Sequence, residues 1–263
     1  MALYKTESVV IGRRALGESD RLVEFYTREF GKLKGVAKSA RRPRSRFGSA
    51  LEPFTLGQLV FFDSGRSELV RIDHFDIIQA FVRAREDLER LGRAAWVVEC
   101  LSGLSADRDP QPALFRLLVR TLGALEVSAR PAWVAACFGL RAVDLFGQRP
   151  RLDRCATCGR PFPFAPAALD IAAGGLICVR CGAGPGIALS GAVVGTLKRL
   201  RGLRWEEALR LPVAGSLEGE ICAAVEDLMA RLAGQLPRSS RFMAQVRRSL
   251  LRVAEPTPRS RGR

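Results

Sequence analysis

Histidine is almost missing from this chain: His74 is the single one in 263 residues. A Ser-His-Asp triad or a histidine-ligated metal centre is therefore hard to assemble, and His74, at the end of a candidate strand, reads as structural. Long apolar runs are missing too. The longest uncharged run, Gly182 to Leu197, is broken by Pro185 and several glycines and falls short of the roughly 18 residues a membrane-crossing helix needs. Met1 to Glu7 carry charge and a tyrosine where an export signal would place an apolar core, so a soluble, cytoplasmic protein is expected. Acids are scarce: 27 Asp plus Glu stand against 42 Lys plus Arg, for a net charge of +15. A polyanion, with nucleic acid first, is the partner this balance implies.

The phosphate-binding loop is also incomplete. Gly12 to Gly17 has its outline after a candidate strand, but Glu18 stands where the lysine belongs and would repel phosphate. Carboxylate pairs such as Glu18 and Asp20, or Asp73 and Asp76, are spaced like surface and turn residues. No enzyme is expected. The chain has no internal repeat and no long low-complexity tract.

What remains is an ordinary globular composition, 48% hydrophobic and 26% charged, on a chain long enough for two or three units. Val9–Ile11, Leu22–Tyr26, Lys32–Val36, Leu59–Phe62 and Leu69–Ile72 are short, rich in β-branched or aromatic residues and separated by glycine or proline. Five strands at this spacing predict a small barrel. From about Arg83 the period becomes helical through Leu88, Leu91, Ala95, Val98 and Leu101, and later helices start near Pro112 and Pro131. Helical periodicity resumes at Val193 to Leu200, at Leu217 to Leu232 and through Phe242, Val246, Leu250 and Val253. The fold class is thus multidomain α+β: a barrel over 1–80, then a helical domain over 81–150 and 187–254, split by a cysteine-bearing insert over 151–186. Residues 255–263 form a flexible basic tail.

Cys155 and Cys158, and Cys178 and Cys181, form two C-x2-C-G pairs with nineteen residues between them. This is a zinc-type spacing. A two-residue spacer lets both thiolates of a pair reach one ion, and four sulfurs leave no open position for a catalytic water, so one structural Zn2+ per chain is expected. Arg154, Arg160 and Arg180 stand close enough in sequence to offset the excess negative charge. Cys100, Cys137 and Cys222 lie alone in helical patterns and read as core residues.

Arg28 to Arg46 contains eight basic residues and one acid, Glu29. Its richest part, Lys38 to Arg46, is expected to project from the barrel as a polar loop ending at Phe47. Lys32, Lys34, Lys38, Arg41, Arg42, Arg44 and Arg46 are candidate DNA contacts, because clustered cations release counterions from a phosphate backbone. Lys198, Arg199 and Arg201 form a second candidate group. A third, Arg241, Arg248 and Arg252, falls on one face of the last helix and reads as its wet side.

Glu7-Ser-Val-Val-Ile11, Gly17-Glu-Ser-Asp20, Phe25 to Thr27, Gly31-Lys-Leu33, Val36-Ala-Lys38, Ala40-Arg-Arg42, Ser45 and Leu51-Glu-Pro-Phe54 together resemble the N-terminal domain of the RecO family. The likeness runs almost continuously over 1–80 and continues in the helical layer, the two C-x2-C pairs and Arg241-Phe-Met243. Ser39, where the family often has glycine, and Glu52, where glutamine is common, are departures. The resemblance implies an OB-fold barrel followed by an α-helical domain interrupted by a four-cysteine zinc module. It also implies a cytoplasmic, nucleoid-associated recombination mediator that needs no ATP hydrolysis of its own and has no membrane partner. Such a protein binds single- and double-stranded DNA, anneals complementary strands, contacts the C-terminal tail of SSB and works with RecR, so that RecA is loaded indirectly. Two other readings stay open on the residues alone: a zinc-containing, ribosome-associated RNA-binding protein, and a metal-dependent nuclease.

Overall fold

In the computed structural model, residues 2–161, 166–182 and 186–254 are described, without the side chains of 247 and 249–254. The expected tail over 255–263 lies outside them, as do the side chains of Leu250, Arg252 and Val253.

Five strands close a barrel: β1 (Ala2–Leu16), β2 (Asp20–Thr27), β3 (Gly31–Ala37), β4 (Leu56–Asp63) and β5 (Leu69–Gln79), in the order β1-β2-β3-β5-β4. β3 and β5 pair parallel and the other neighbours antiparallel, which is the OB-type arrangement expected. The closure between β3 and β5 is short, Lys34–Val36 on Leu69–Arg71. A bulge between Val10 and Gly12 lets β1 pair with β4 through its first half and with β2 through its second. In β3 burial alternates: Leu33, Gly35 and Ala37 point inward, Lys32, Lys34 and Val36 outward.

Val10, Val23, Phe25, Leu33, Leu59, Phe61, Val70, Ile72 and Phe75 fill the interior. The barrel's outer wall is also apolar. Val9, Ile11, Tyr26, Phe54 and Leu56 belong to the same buried cluster as Phe81, Trp96 and Leu101 of the helical layer. One wall thus serves two cores, which explains why Val9-Val10-Ile11 and Phe25-Tyr26 read as unbroken apolar runs rather than an alternation.

After the short α1 (Arg83–Glu86), Asp87 caps α2 (Leu88–Leu104) by accepting from the amide of Arg90 at 2.8 Å. α3 (Pro112–Val127) and α4 (Pro131–Leu145) each start on a proline, as predicted. α4 is the central helix, buried on most sides, with Trp133 Nε1 donating to the carbonyl of Ala208 at 2.9 Å. The insert contains a three-stranded sheet, β6 (Ala167–Asp170), β7 (Gly175–Cys178) and β8 (Ile187–Leu189), in the order β7-β6-β8. Strands of three or four residues carry too little alternation to be legible in sequence, and the third lies past Gly186. The layer then continues with α5 (Gly191–Gly202), α6 (Trp205–Arg210), α7 (Gly215–Leu232) and α8 (Arg238–Ala254).

The α2–α3 connection straps the barrel. Lys32 Nζ donates to the carbonyls of Ser102 at 2.7 Å and Ser105 at 2.9 Å and pairs with Asp107 at 3.1 Å. These partners account for all three ammonium protons. Arg108 donates its amide to the carbonyl of Lys32 at 3.0 Å and its guanidinium to Asp63 at 2.6 Å. Gly31, at φ +64°, sits where a Cβ would lie 2.3 Å from the carbonyl oxygen of Asp109.

Gly31→Ala should therefore cost about 2–4 kcal/mol, from left-handed backbone strain together with overpacking. Denaturant unfolding measures it, and a change below about 0.5 kcal/mol would remove the strap from the stability of the fold. The strap also predicts acid sensitivity. The Arg108 hydrogen bond and the Gly65 amide hold the Asp63 carboxyl below its usual range. Burial pushes the Asp107 carboxyl up, but hydrogen bonds from Lys34 and Lys32 more than offset this. Stability from such lowered carboxyls is present above the unfolded value of about 3.9 and lost as pH falls through the lower folded one. Thermal melts should hold from neutral pH to about 5 and drop below about 4, and Asp107→Asn should shallow that drop.

Candidate nucleic-acid interface and metal site

The segment after β3 is not the projecting arm expected from its polarity. Ala40, Phe47, Ala50 and Leu51 are buried in the barrel interior and close one of its mouths. Successive turns fold it down: Arg42 donates to the carbonyl of Ser39, Ser45 to Arg42, Ala50 to Phe47 and Glu52 to Ser49. Four apolar residues spaced through the segment outweigh its charge, because the cations can stay outside while the small and aromatic side chains turn in. Lys38, Arg41, Arg42, Arg44 and Arg46 are all exposed on this cap.

The β1–β2 turn braces the cap. Asp20 accepts the amide of Ser39 at 2.8 Å, the main cause that holds its carboxyl below the usual range, with Lys38 and Arg42 adding to it. Arg41 donates its amide to the carbonyl of Ser19 at 2.9 Å and Nη1 to that of Gly17 at 2.8 Å. Ser39 adopts φ +56°, a left-handed conformation that suits glycine and explains why glycine is common there in the resembling family. Glu52, the other departure, forms an ion pair with Arg13. Arg46 lies over the ring of Phe47, 5.1 Å from its centroid.

The remaining predicted contacts are dispersed. Lys32 is committed to the strap, and Lys34 pairs with Asp107 at 3.1 Å. Arg201 is nearly buried and holds the carbonyl of Pro150 at 2.6 Å and Asp144 at 3.4 Å. Lys198 and Arg201 line one cavity of about 460 Å3 with Arg149 and Arg151, while Arg199 borders a separate depression with Gly191, Thr196 and Leu217. Sequence reasoning did not single out Arg13 and Arg21, which the register of β1 on β2 places on the face of Val23, or Arg14, which it places on the other face. The hairpin spacing around Gly17 was the available signal.

The four cysteines converge. The sulfurs of Cys155, Cys158, Cys178 and Cys181 all lie within 4.8 Å of one another, with Cys158 and Cys178 3.9 Å apart. Zn–S bonds of about 2.3 Å put tetrahedral ligands about 3.8 Å apart, so the donor set fits a single ion. Gly159 at φ +72° and Gly182 at φ +84° turn the chain after each pair, and the amides of Gly159 and Cys181 bond back to the carbonyls of Cys155 at 2.9 Å and Cys178 at 3.0 Å. Amides of Cys158 and Cys178 aimed at the Cys155 sulfur draw its thiol down to about 6. Hydrogen bonding among the crowded sulfurs, from Cys178 first, pushes Cys181 up to about 12. The four sulfurs could thus hold one metal ion. Of the arginines expected to offset the charge, Arg154 pairs with Asp153 at 3.5 Å, and Arg160 and Arg180 are exposed, as Cys158 and Cys181 are. Leu152, Cys155, Leu169, Leu176, Ile187 and Leu189 join the helical core, which fixes the site to the body of the protein. Cys100, Cys137 and Cys222 are buried, as expected, and burial raises their thiols.

No helix among the described residues is long and apolar enough to cross a membrane. Residues 1–81 match the family described as Recombination protein O N terminal, and residues 85–242 match Recombination protein O C terminal. The chain is similar to the DNA repair protein RecO of Myxococcus xanthus, 36% identical over 248 residues, 94% of this chain and 99% of that one. The RecO of Anaeromyxobacter dehalogenans (strain 2CP-C) is 38% identical over 241 residues, covering 91% and 89%. That of Rubrobacter xylanophilus is 38% identical over 220 residues, covering 83% and 86%.

Elemental analysis of protein purified under reducing conditions should find about one bound metal ion per chain, and Cys155→Ser with Cys158→Ser should abolish it. The double variant should also expose the insert to proteolysis while barrel secondary structure persists. Metal-free protein with all four thiols reduced and protected would contradict the site.

Proposed function

The chain belongs to the RecO family, whose role lies in DNA repair and recombination, and on that premise we propose that it is a non-catalytic mediator that anneals complementary strands and helps load RecA onto SSB-coated DNA. The observation that carries this reading is the capped barrel mouth, where Lys38, Arg41, Arg42, Arg44 and Arg46 are exposed together on a folded support. Two phosphate backbones repel each other, and a dense cationic surface lowers that barrier without nucleotide hydrolysis. Hydroxyls of Ser39 and Ser45 lie within the same segment and add phosphate-directed donors. A fixed cap pays its ordering entropy on folding rather than on binding.

In this reading the barrel over 1–80 is the DNA-binding unit, the helical parts over 81–150 and 187–254 are the partner-binding body, and 151–186 is the metal module. The ion is Zn2+, one per chain and structural, because an all-thiolate tetrahedral set selects zinc and leaves no open position. Lys198 and Arg199 extend the basic surface on the helical side, while Lys32 and Arg201 act within the protein and Lys34, half-exposed, pairs with Asp107. The SSB tail, an acidic peptide ending in a carboxylate, suits a pocket of about 300 Å3 whose lining includes Arg116, Arg120, Arg141, Leu145 and Trp205, three guanidiniums against the one carboxylate of Asp144. RecR is the second partner, and the site of action is the cytoplasmic nucleoid.

The decisive measurement is the salt dependence of oligonucleotide binding and annealing. Lys38→Ala, Arg42→Ala and Arg44→Ala together should reduce the slope of log K against log salt for single strands by about 2, at about 0.7 per lost phosphate contact, and should slow annealing. A slope that did not move would exclude the cap as the interface. Single-strand DNA and RNA of matched length, in competition, separate this reading from an RNA-binding one.

A further inference from the structure

Beyond Val9, β1 leaves β4 and pairs only with β2: Arg13 stands opposite Val23, Arg14 opposite Leu22, Ala15 opposite Arg21 and Leu16 opposite Asp20. Directly opposite residues of an antiparallel pair share a face, and successive residues alternate. Arg13 and Arg21 therefore lie on the face of Val23, which lines the barrel interior and is the side of the cap. Arg14 and Leu16 lie on the other face.

Residues 13–18 are all exposed, and Leu16 keeps 38% of its surface in water. Among the described residues, neither the Arg14 nor the Arg21 guanidinium has a hydrogen-bond or ion-pair partner, whereas that of Arg13 is held by Glu52. The hairpin turn is tied to the cap through Arg41 to Gly17 and Ser19 and, from the strand position opposite Leu16, through Asp20 to Ser39. Asp20 is thereby engaged, and Glu24, farther down the outer face, lies toward Lys34 and the strap. A ribbon with an unpaired guanidinium on each face has the charge pattern needed to stand between two phosphate chains without bringing them together. Leucine beside arginine on the open face adds an apolar surface for a base next to a donor for its phosphate.

We propose that the β1–β2 hairpin is a two-sided nucleic-acid contact: Arg21, continuous with the cap, meets the first strand, and Arg14 with Leu16 receives the second, complementary strand. This rests on the cap as the first-strand surface. Its value for annealing is that one rigid element fixes both strands at a set separation, so the second strand arrives already oriented.

The test compares two readouts on the full-length protein: anisotropy of a labelled single strand, and the annealing rate of complementary oligonucleotides bearing a fluorophore and a quencher. Arg14→Ala should leave single-strand affinity within about twofold while slowing annealing by about tenfold, the worth of one charge-assisted contact, and Arg14→Lys should restore much of the rate. Leu16→Ala should slow annealing too, and Arg21→Ala should weaken single-strand binding itself. Equal loss of single-strand affinity in the Arg14 and Arg21 variants would mean that both faces serve one strand and would overturn the proposal. An Arg14→Ala protein that anneals at the original rate would overturn it as well. The triple cap variant is the reference. If it binds and anneals normally, the cap reading fails whatever Arg14 does; if it is impaired while Arg14→Ala is not, the hairpin proposal alone fails.

Discussion

Burial of the barrel's outer wall against the helical layer is the constraint on which the rest of the structure depends. Val9, Ile11, Tyr26 and Leu56 complete a core that runs through α2 and α4 and reaches the insert, so barrel, helices and cysteine site share one continuous apolar interior. Such a seam cannot be crossed by an unpaired charge without a desolvation penalty. Lys32 meets that condition where β3 abuts the α2–α3 connection, with each ammonium proton given to a carbonyl or carboxylate. The lysine that looked like a nucleic-acid contact is therefore a fastening between two parts of the fold, and its charge is absent from the outer surface.

The same separation of roles governs the cap. Apolar residues of the 38–55 segment enter the barrel mouth, and the cations left outside gain a fixed backbone. Cations on a fixed support keep their mutual repulsion at all times, which the Asp20 carboxylate and the Arg13–Glu52 pair partly relieve. A surface of this kind attracts polyanions strongly at low salt and weakly at high salt, with little preference for sequence.

The cysteine site stands apart from this chemistry. Its sulfurs are held by two tight turns and by a sheet whose inner residues are part of the helical core, and the crowding of four thiols within 4.8 Å makes a cation the natural means of balancing their charge. Four sulfur ligands leave no coordination position over, so an ion held there would shape the insert and take no part in bond making.

Much of this was legible in the residues. The five strands, the proline-started helices and the paired cysteines each carry a local signature, because strand alternation, helix initiation and ligand spacing are set by neighbours within a few residues. The lack of a usable histidine set and of a phosphate-loop lysine likewise needed no structure. What the sequence could not carry was partnership at a distance: that Lys32 and Arg201 turn into the protein, that Phe47 and Leu51 close the barrel instead of trailing from it, and that Arg13 and Arg21 share the cap's side of the hairpin while Arg14 takes the other. A charged side chain has the same letter whether it meets water, a carbonyl or a carboxylate. Which of these it meets is decided by desolvation and strand register, and both exist only once the chain has closed on itself.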